Sequence, residues 1–128
     1  MAGKPIQLIL ARQLASSVAI PIMLFDADGS LVFFNEPAEA ILGERFDETG
    51  EISSDDFVNL VEVADEHRVP LHPDDRPSHA ARRDRRPMSR IIWTRSRSTE
   101  WRRLQITAVP LLAGADEFLG VMHLFWEI

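Results

Sequence analysis

The sequence predicts an α+β domain, with short helices lying on one face of an antiparallel sheet. Two observations carry that expectation. Near each end of the chain, two apolar runs of strand length flank a cluster of turn residues, so both ends read as hairpins. Between them the chain reads as brief helical segments opened by capping residues. The 128 residues suit one domain, and 45% of them are hydrophobic, with three Trp and seven Phe, enough for one core.

Ile6, Ile9, Leu10, Leu14 and Val18 recur at spacings of three and four, an amphipathic helix that ends before Pro21. Ile20 to Phe25 is an apolar run of strand length. Asp26-Ala27-Asp28-Gly29 supplies turn chemistry, and Leu31 to Phe34 is the return strand. Asn35 follows at once as an N-cap. Pro37 lies in the first turn, Ala38 to Leu42 suit a helix, and Gly43 suits its C′ position. Ser53 or Ser54 caps another short helix carrying Phe57, Leu60 and Val61, with Asp55 and Asp56 where the helix dipole favours them. Val61 to Val63 can begin a short strand. Val69 to Pro77 holds three Pro and is expected to be a loop, and Arg76 to Arg83 fits one or two helical turns.

The C-terminal third reads as β. Met88 to Arg95 is a strand around Ile91, Ile92 and Trp93, and Ser96 to Thr99 is a turn. Trp101 to Leu111 is the clearest strand. Leu104, Ile106 and Ala108 alternate with Arg103, Gln105 and Thr107, so one face is buried and the other polar. Ala113 to Asp116 turns the chain, and Phe118 to Ile128 returns as a long strand.

Composition excludes several function classes. The formal charge is −6, which argues against a general nucleic-acid binder, because neutralising phosphates needs excess cations. Cysteine is absent, so disulfides, thiolate metal sites, cysteine nucleophiles and sulfur-linked cofactors are ruled out. No apolar run approaches the roughly 20 residues of a membrane span, and the N-terminus lacks a signal-peptide pattern. A cytoplasmic protein is expected. Charge is unevenly spread: Asp26 to Glu66 holds 13 acidic residues and one Arg, whereas Arg76 to Arg103 holds ten Arg and two acidic residues. The two stretches can attract across the fold or across a dimer, but two solvated faces are the simpler expectation.

Three segments resemble the PAS domain family. IMLFDADGSLVFFNEPAEAILG is similar to the family's opening pattern: apolar strand, Asp-x-x-Gly turn, apolar strand, Asn, then an Ala-rich helix ending in Gly. VPLHPDDRPSHAARRDRRPM resembles the loop and short helix before the third large strand. WRRLQITAVPLLAGADEFLGVMHLFWEI resembles the last hairpin, with Glu127 where many relatives carry Asp. The resemblance runs from residue 18 to 128 and implies a five-stranded antiparallel sheet in the order 2-1-5-4-3, cupping a pocket with its helices. It also implies a sensory module that relays a signal to an output domain or partner. Residues 1–17 are then an N-terminal helix for capping or dimerisation, and 18–128 the sensor domain. No kinase or cyclase motif lies within the sequence, so the chain is expected to be a stand-alone module or the sensor part of a longer protein.

The resemblance bears on cofactors by its departures. Cysteine-dependent flavin photochemistry is excluded, since the chain has no Cys. Haem-binding relatives use a His on the short helix; His72 and His79 bracket that position without matching it, so haem is not expected. The implied pocket set is Met23, Phe25, Phe33, Ile41, Phe57, Leu60, Ile91, Trp93, Ile106, Ala108, His123 and Phe125. Such a lining is mainly apolar, which suits a lipid-like or aromatic ligand better than a phosphate or dicarboxylate. Both faces of the last strand are apolar, and the resemblance turns Val121, His123 and Phe125 inward. His123 is either a ligand partner, a metal ligand or a pH-sensitive group, or more simply a neutral core histidine bonded to one polar neighbour. Met122, Leu124 and Trp126 then lie on the outer face with Ile22 and Leu24. An apolar face of that kind needs a cover. The helix offers Ile6, Ile9, Leu10 and Leu14, from its own chain or from a second copy in a homodimer.

Catalysis finds little support. Asp55-Asp56 and Asp74-Asp75 are adjacent pairs that point apart, and neither a phosphate-binding Gly loop nor a His-x-x-x-His pair occurs. No metal site is expected. Three readings follow: a sensory module that binds a small apolar ligand, a ligand-free interaction module, and, least favoured, a small enzyme in which His123 works with a carboxylate.

Overall fold

In the computed structural model, which describes residues 4–96, 100–114 and 116–128, six strands form one antiparallel sheet. They are β1 (Ile22–Asp26), β2 (Leu31–Phe34), β3 (Val61–Ala64), β4 (Met88–Ser96), β5 (Arg102–Ala113) and β6 (Glu117–Glu127). The spatial order is β2-β1-β6-β5-β4-β3. Five of these strands stand in the order expected. The sixth, β3, extends the sheet beyond β4 through the pairs Val61 with Ser96 and Val63 with Thr94. The expected turn at Ser96 to Thr99 falls largely outside the described residues; Ser96 itself ends β4.

The central pairing joins the two ends of the chain. Met23 faces His123 and Phe25 faces Val121 across β1 and β6. Gly120 makes this approach possible. Its φ is +154°, and a Cβ there would overlap the Phe25 carbonyl oxygen.

Helix α1 (Ile6–Ala15) lies on one face of the sheet. It stops short of the expected Val18, and over its last turn Ser16 Oγ and Ser17 Oγ bond back to the Arg12 and Gln13 carbonyls. On the other face lie α2 (Glu36–Leu42), α4 (Ser54–Leu60) and α5 (Pro77–Asp84). One-turn α3 (Phe46–Thr49) and a 3-10 turn over Pro73–Asp75 connect them. The anticipated caps form: Ser53 Oγ accepts from the Asp56 amide, and Gly43 takes a φ of +72° after α2.

Asn35 does more than cap. Its Oδ1 accepts from the amides of Ile22 at 3.0 Å and Ala38 at 3.2 Å. Its Nδ2 donates to the carbonyls of Ala15 at 3.0 Å and Ile20 at 2.9 Å. One buried amide thus closes the end of α1, the start of β1 and the start of α2.

The core divides by sheet face. Phe34, Phe125, Leu104, Ile106 and Ile92 pack under α2, α4 and α5. Ile22, Leu24 and Val32 pack beneath Ala11 and Ala15 of α1, with Met122 and Leu124 beside them. Among the described residues the oppositely charged stretches meet directly at an exposed pair, Arg95 with Glu62 on adjacent strands. Among the described residues the other arginine pairs are local or terminal, as solvated faces require.

Replacing Asn35 with Ala strands two amides and two carbonyls. Urea unfolding is expected to show a loss of roughly 2–4 kcal/mol. A loss below that of an ordinary exposed N-cap would contradict the four-way role.

Candidate functional site

A cavity of about 40 Å³ lies between the sheet and α2, α4 and α5. A single water needs roughly 10–15 Å³, so the space admits a few waters or a short organic molecule. Its apolar wall includes Met23, Ile41, Phe57, Ile106 and Phe125, all anticipated from sequence, together with Leu42, Val61, Val63, Ile92 and Leu104. Phe25, Leu60 and Ala108 belong to the same core without lining the cavity.

Three anticipated pocket residues sit elsewhere. Phe33 packs on the α1 side, its ring against Phe46 and beneath the Arg12 guanidinium. Phe34 takes the core position instead. Ile91 and Trp93 face away from the cavity, whereas Ile92 lines it. Trp93 stacks against Arg68, whose guanidinium carbon is 4.0 Å from the ring centroid. The reason is common to both strands. Leu31 to Phe34 and Ile91 to Trp93 are continuous apolar runs without alternation, so neighbouring strands decide which residue points inward. Pairing places Ile92 opposite Leu104, whose inward direction was legible.

The polar end of the cavity was not anticipated. Arg76, just before α5, is 8% exposed and buries its guanidinium there. Its Nη2 donates to the Val61 carbonyl at 2.9 Å and the Val58 carbonyl at 3.5 Å. Nε and Nη1 are buried without a partner. Burial pushes the guanidinium below its usual range, and no carboxylate offsets it among the described residues. Pro77 and Ser78 continue this wall from the first turn of α5, and Thr94 and Ser96 of β4 complete it. In sequence Arg76 is one arginine in a basic stretch, and no pattern marks it as buried.

His123 is turned inward, 5% exposed, with its ring edge-on to Phe25 at 4.9 Å between centroids. Both ring nitrogens lack partners, so even the single polar neighbour expected of a core histidine is missing. Burial first, then the nearby His79, pushes its pKa down to about 3. His79 on α5 is also pushed down, chiefly by burial, and its Nδ1 is buried and unpartnered. His72 is exposed and accepts the Asp74 amide through Nδ1. Among the described residues no carboxylate hydrogen-bonds His123. Among the described residues, no three His, Asp or Glu side chains gather at metal-binding geometry.

The outer face holds the anticipated interface residues in two conditions. Ile22 and Leu24 are buried beneath α1, and Met122 and Leu124 are half-buried beside it. The cover comes from Leu8, Ala11 and Ala15, not from the stripe expected. Ile6, Ile9, Leu10 and Leu14 instead point to solvent, between 47% and 65% exposed, and Trp126 is 44% exposed. No helix among the described residues is long and apolar enough to cross a membrane.

Comparison with known proteins agrees with this architecture. A family model described as PAS domain matches residues 10–81, more than half of the chain. A comparison with curated proteins finds no match. Among solved structures, the PAS domain of a Colwellia psychrerythraea protein aligns with TM-score 0.65 at 13% identity, covering 94% of this chain and 97% of that one. The PAS domain of nitrogen regulation protein NR(II) from Vibrio parahaemolyticus aligns with TM-score 0.63 at 11% identity, covering 93% and 98%. A Rhodobacter sphaeroides LOV protein aligns with TM-score 0.69 at 14% identity, covering 98% and 69%. At these identities the likeness is one of fold.

The buried histidine generates a pH prediction. Between about pH 6.5 and about 3 the unfolded chain binds a proton at His123 that the folded chain does not. Stability is therefore present above the ordinary histidine value and declines as pH falls through that window. From pH 7.5 to 5 the contribution is about 2 kcal/mol. His123→Phe is expected to lose correspondingly less stability over this range in urea titrations. Equal acid sensitivity in parent and variant would exclude His123 as a source.

Proposed function

The chain belongs to the PAS domain family, and on that premise we propose that it is a sensory signalling module. It reads the occupancy of the cavity beneath α2, α4 and α5, and passes the result through the sheet to an output domain or partner. Residues 1–17 act as the dimerising and relaying helix, and residues 18–128 as the sensor unit. The absence of cysteine suits the reducing cytoplasm.

One observation carries the ligand-binding part. Arg76 and His123 face the same cavity with buried nitrogens that have no partner. Buried polar groups without partners are rare, and a bound molecule explains them. The exposed stripe of Ile6, Ile9, Leu10 and Leu14 supports a homodimer built on α1 and the rim of the sheet at Trp126. A relay follows from the strand itself. On β6, Val121, His123 and Phe125 face the core under the helices, while Met122 and Leu124 pack toward α1. A ligand that binds one arrangement of the inner face better shifts the population of the outer face with it.

A ligand-free dimerisation module is the second reading, favoured by the smallness of the cavity. Native against denaturing mass spectrometry separates the two. The sensory reading expects a mass retained in the native spectrum and lost on unfolding; a clean apo mass from cells supports the second reading. For the dimer, Leu10→Asp and Trp126→Asp are expected to give monomers by light scattering where the parent is dimeric. An unchanged oligomeric state in both variants rules this interface out.

A further inference from the structure

The polar end of the cavity narrows the chemistry of what it holds. Arg76 brings one full positive charge into a wall that is otherwise mainly apolar. Among the described residues its guanidinium meets the carbonyls of Val61 and Val58, and Nε and Nη1 are left over. A buried cation without a counter-charge is costly, and the natural complement is one anion. His123, lining the same cavity, adds two unpartnered ring nitrogens, one of which is a donor in the neutral ring. The lining also includes Met23, Phe57, Ile106 and Phe125, none of which neutralises a second charge. The volume of about 40 Å³ limits length.

Resting on the ligand-binding reading, we propose that the cavity takes a short-chain monocarboxylate, its carboxylate received by Arg76 and its alkyl end against Phe57 and Phe125. This departs from the lipid-like or aromatic ligand expected from sequence, because that expectation lacked the buried arginine. A phosphate or dicarboxylate brings a second charge that the site does not neutralise. Chloride matches the charge but leaves the apolar wall unfilled. A neutral amide of the same shape fills the wall but leaves the arginine without its anion.

The test uses the full chain at constant ionic strength. Propionate and butyrate are titrated by calorimetry and by thermal unfolding, with propionamide, chloride, phosphate and succinate as comparators. Saturable binding and a raised Tm are expected with the two monocarboxylates and not with the comparators. Arg76→Met is expected to bind at least about tenfold more weakly, the loss of one charge-assisted contact. Should that variant fail to fold, Ile106→Phe serves instead; it keeps the arginine, fills the cavity and is expected to abolish binding. Equal response to chloride or propionamide overturns the proposal, as does undiminished binding by Arg76→Met or Ile106→Phe. A retained native mass that is not a monocarboxylate overturns the ligand class and leaves the sensory reading standing. No retained mass and no response to any compound overturns both.

Discussion

The side-chain amide of Asn35 is the constraint on which the rest of the architecture depends. It satisfies two amides and two carbonyls that belong to three different elements. Buried backbone groups at the ends of helices and strands are expensive when unpaired, so this single residue sets where α1 stops, where β1 starts and where α2 begins. No apolar contact has that directional effect. The position of α1 on the outer face, and therefore the two-sided burial of β1, follows from it.

Two-sided burial explains the division of labour in the sheet. β1 and β6 lie within it, with α2, α4 and α5 on one face and α1 on the other. Consecutive residues of β6 alternate between the two environments, His123 toward the cavity and Met122 toward the outer cluster. The same backbone is thus shared by a polar-ended cavity and a helix with a free apolar stripe. Close packing makes such a strand a rigid connector, since neither face can adjust without the other.

Arg76 gives the cavity its character. Its position follows from the chain around it. His72 caps a 3-10 turn over Pro73–Asp75, and Pro77 opens α5 directly after Arg76. The two prolines restrict the backbone on either side, and the arginine points back toward the end of α4. The carbonyls of Val58, in the last turn of α4, and Val61, at the start of β3, accept its Nη2. β3 therefore has a double role: it lengthens the sheet and, through the Val61 carbonyl, helps hold the cation in place.

Much of this was legible from the sequence, and the physical reason is locality. The turns, the Asn35, Ser53 and Gly43 caps, the α+β class and the inward set on β5 all depend on residues within a few positions of each other. Alternation in Leu104, Ile106 and Ala108 needs no partner to be read. The strand order and the inward set on β6 came from resemblance to a family, through motif order over the whole chain. What only the tertiary structure decided is whatever a distant neighbour controls. Phe34 and Ile92, not Phe33, Ile91 or Trp93, face the core, because uniformly apolar strands take their parity from the strand beside them. Leu8, Ala11 and Ala15 cover the sheet, because the rotation of α1 is set by the Asn35 bond to Ala15. Arg76 became the polar heart of the cavity because burial depends on what the fold stacks over a residue, and one arginine among thirteen carries no local mark of that.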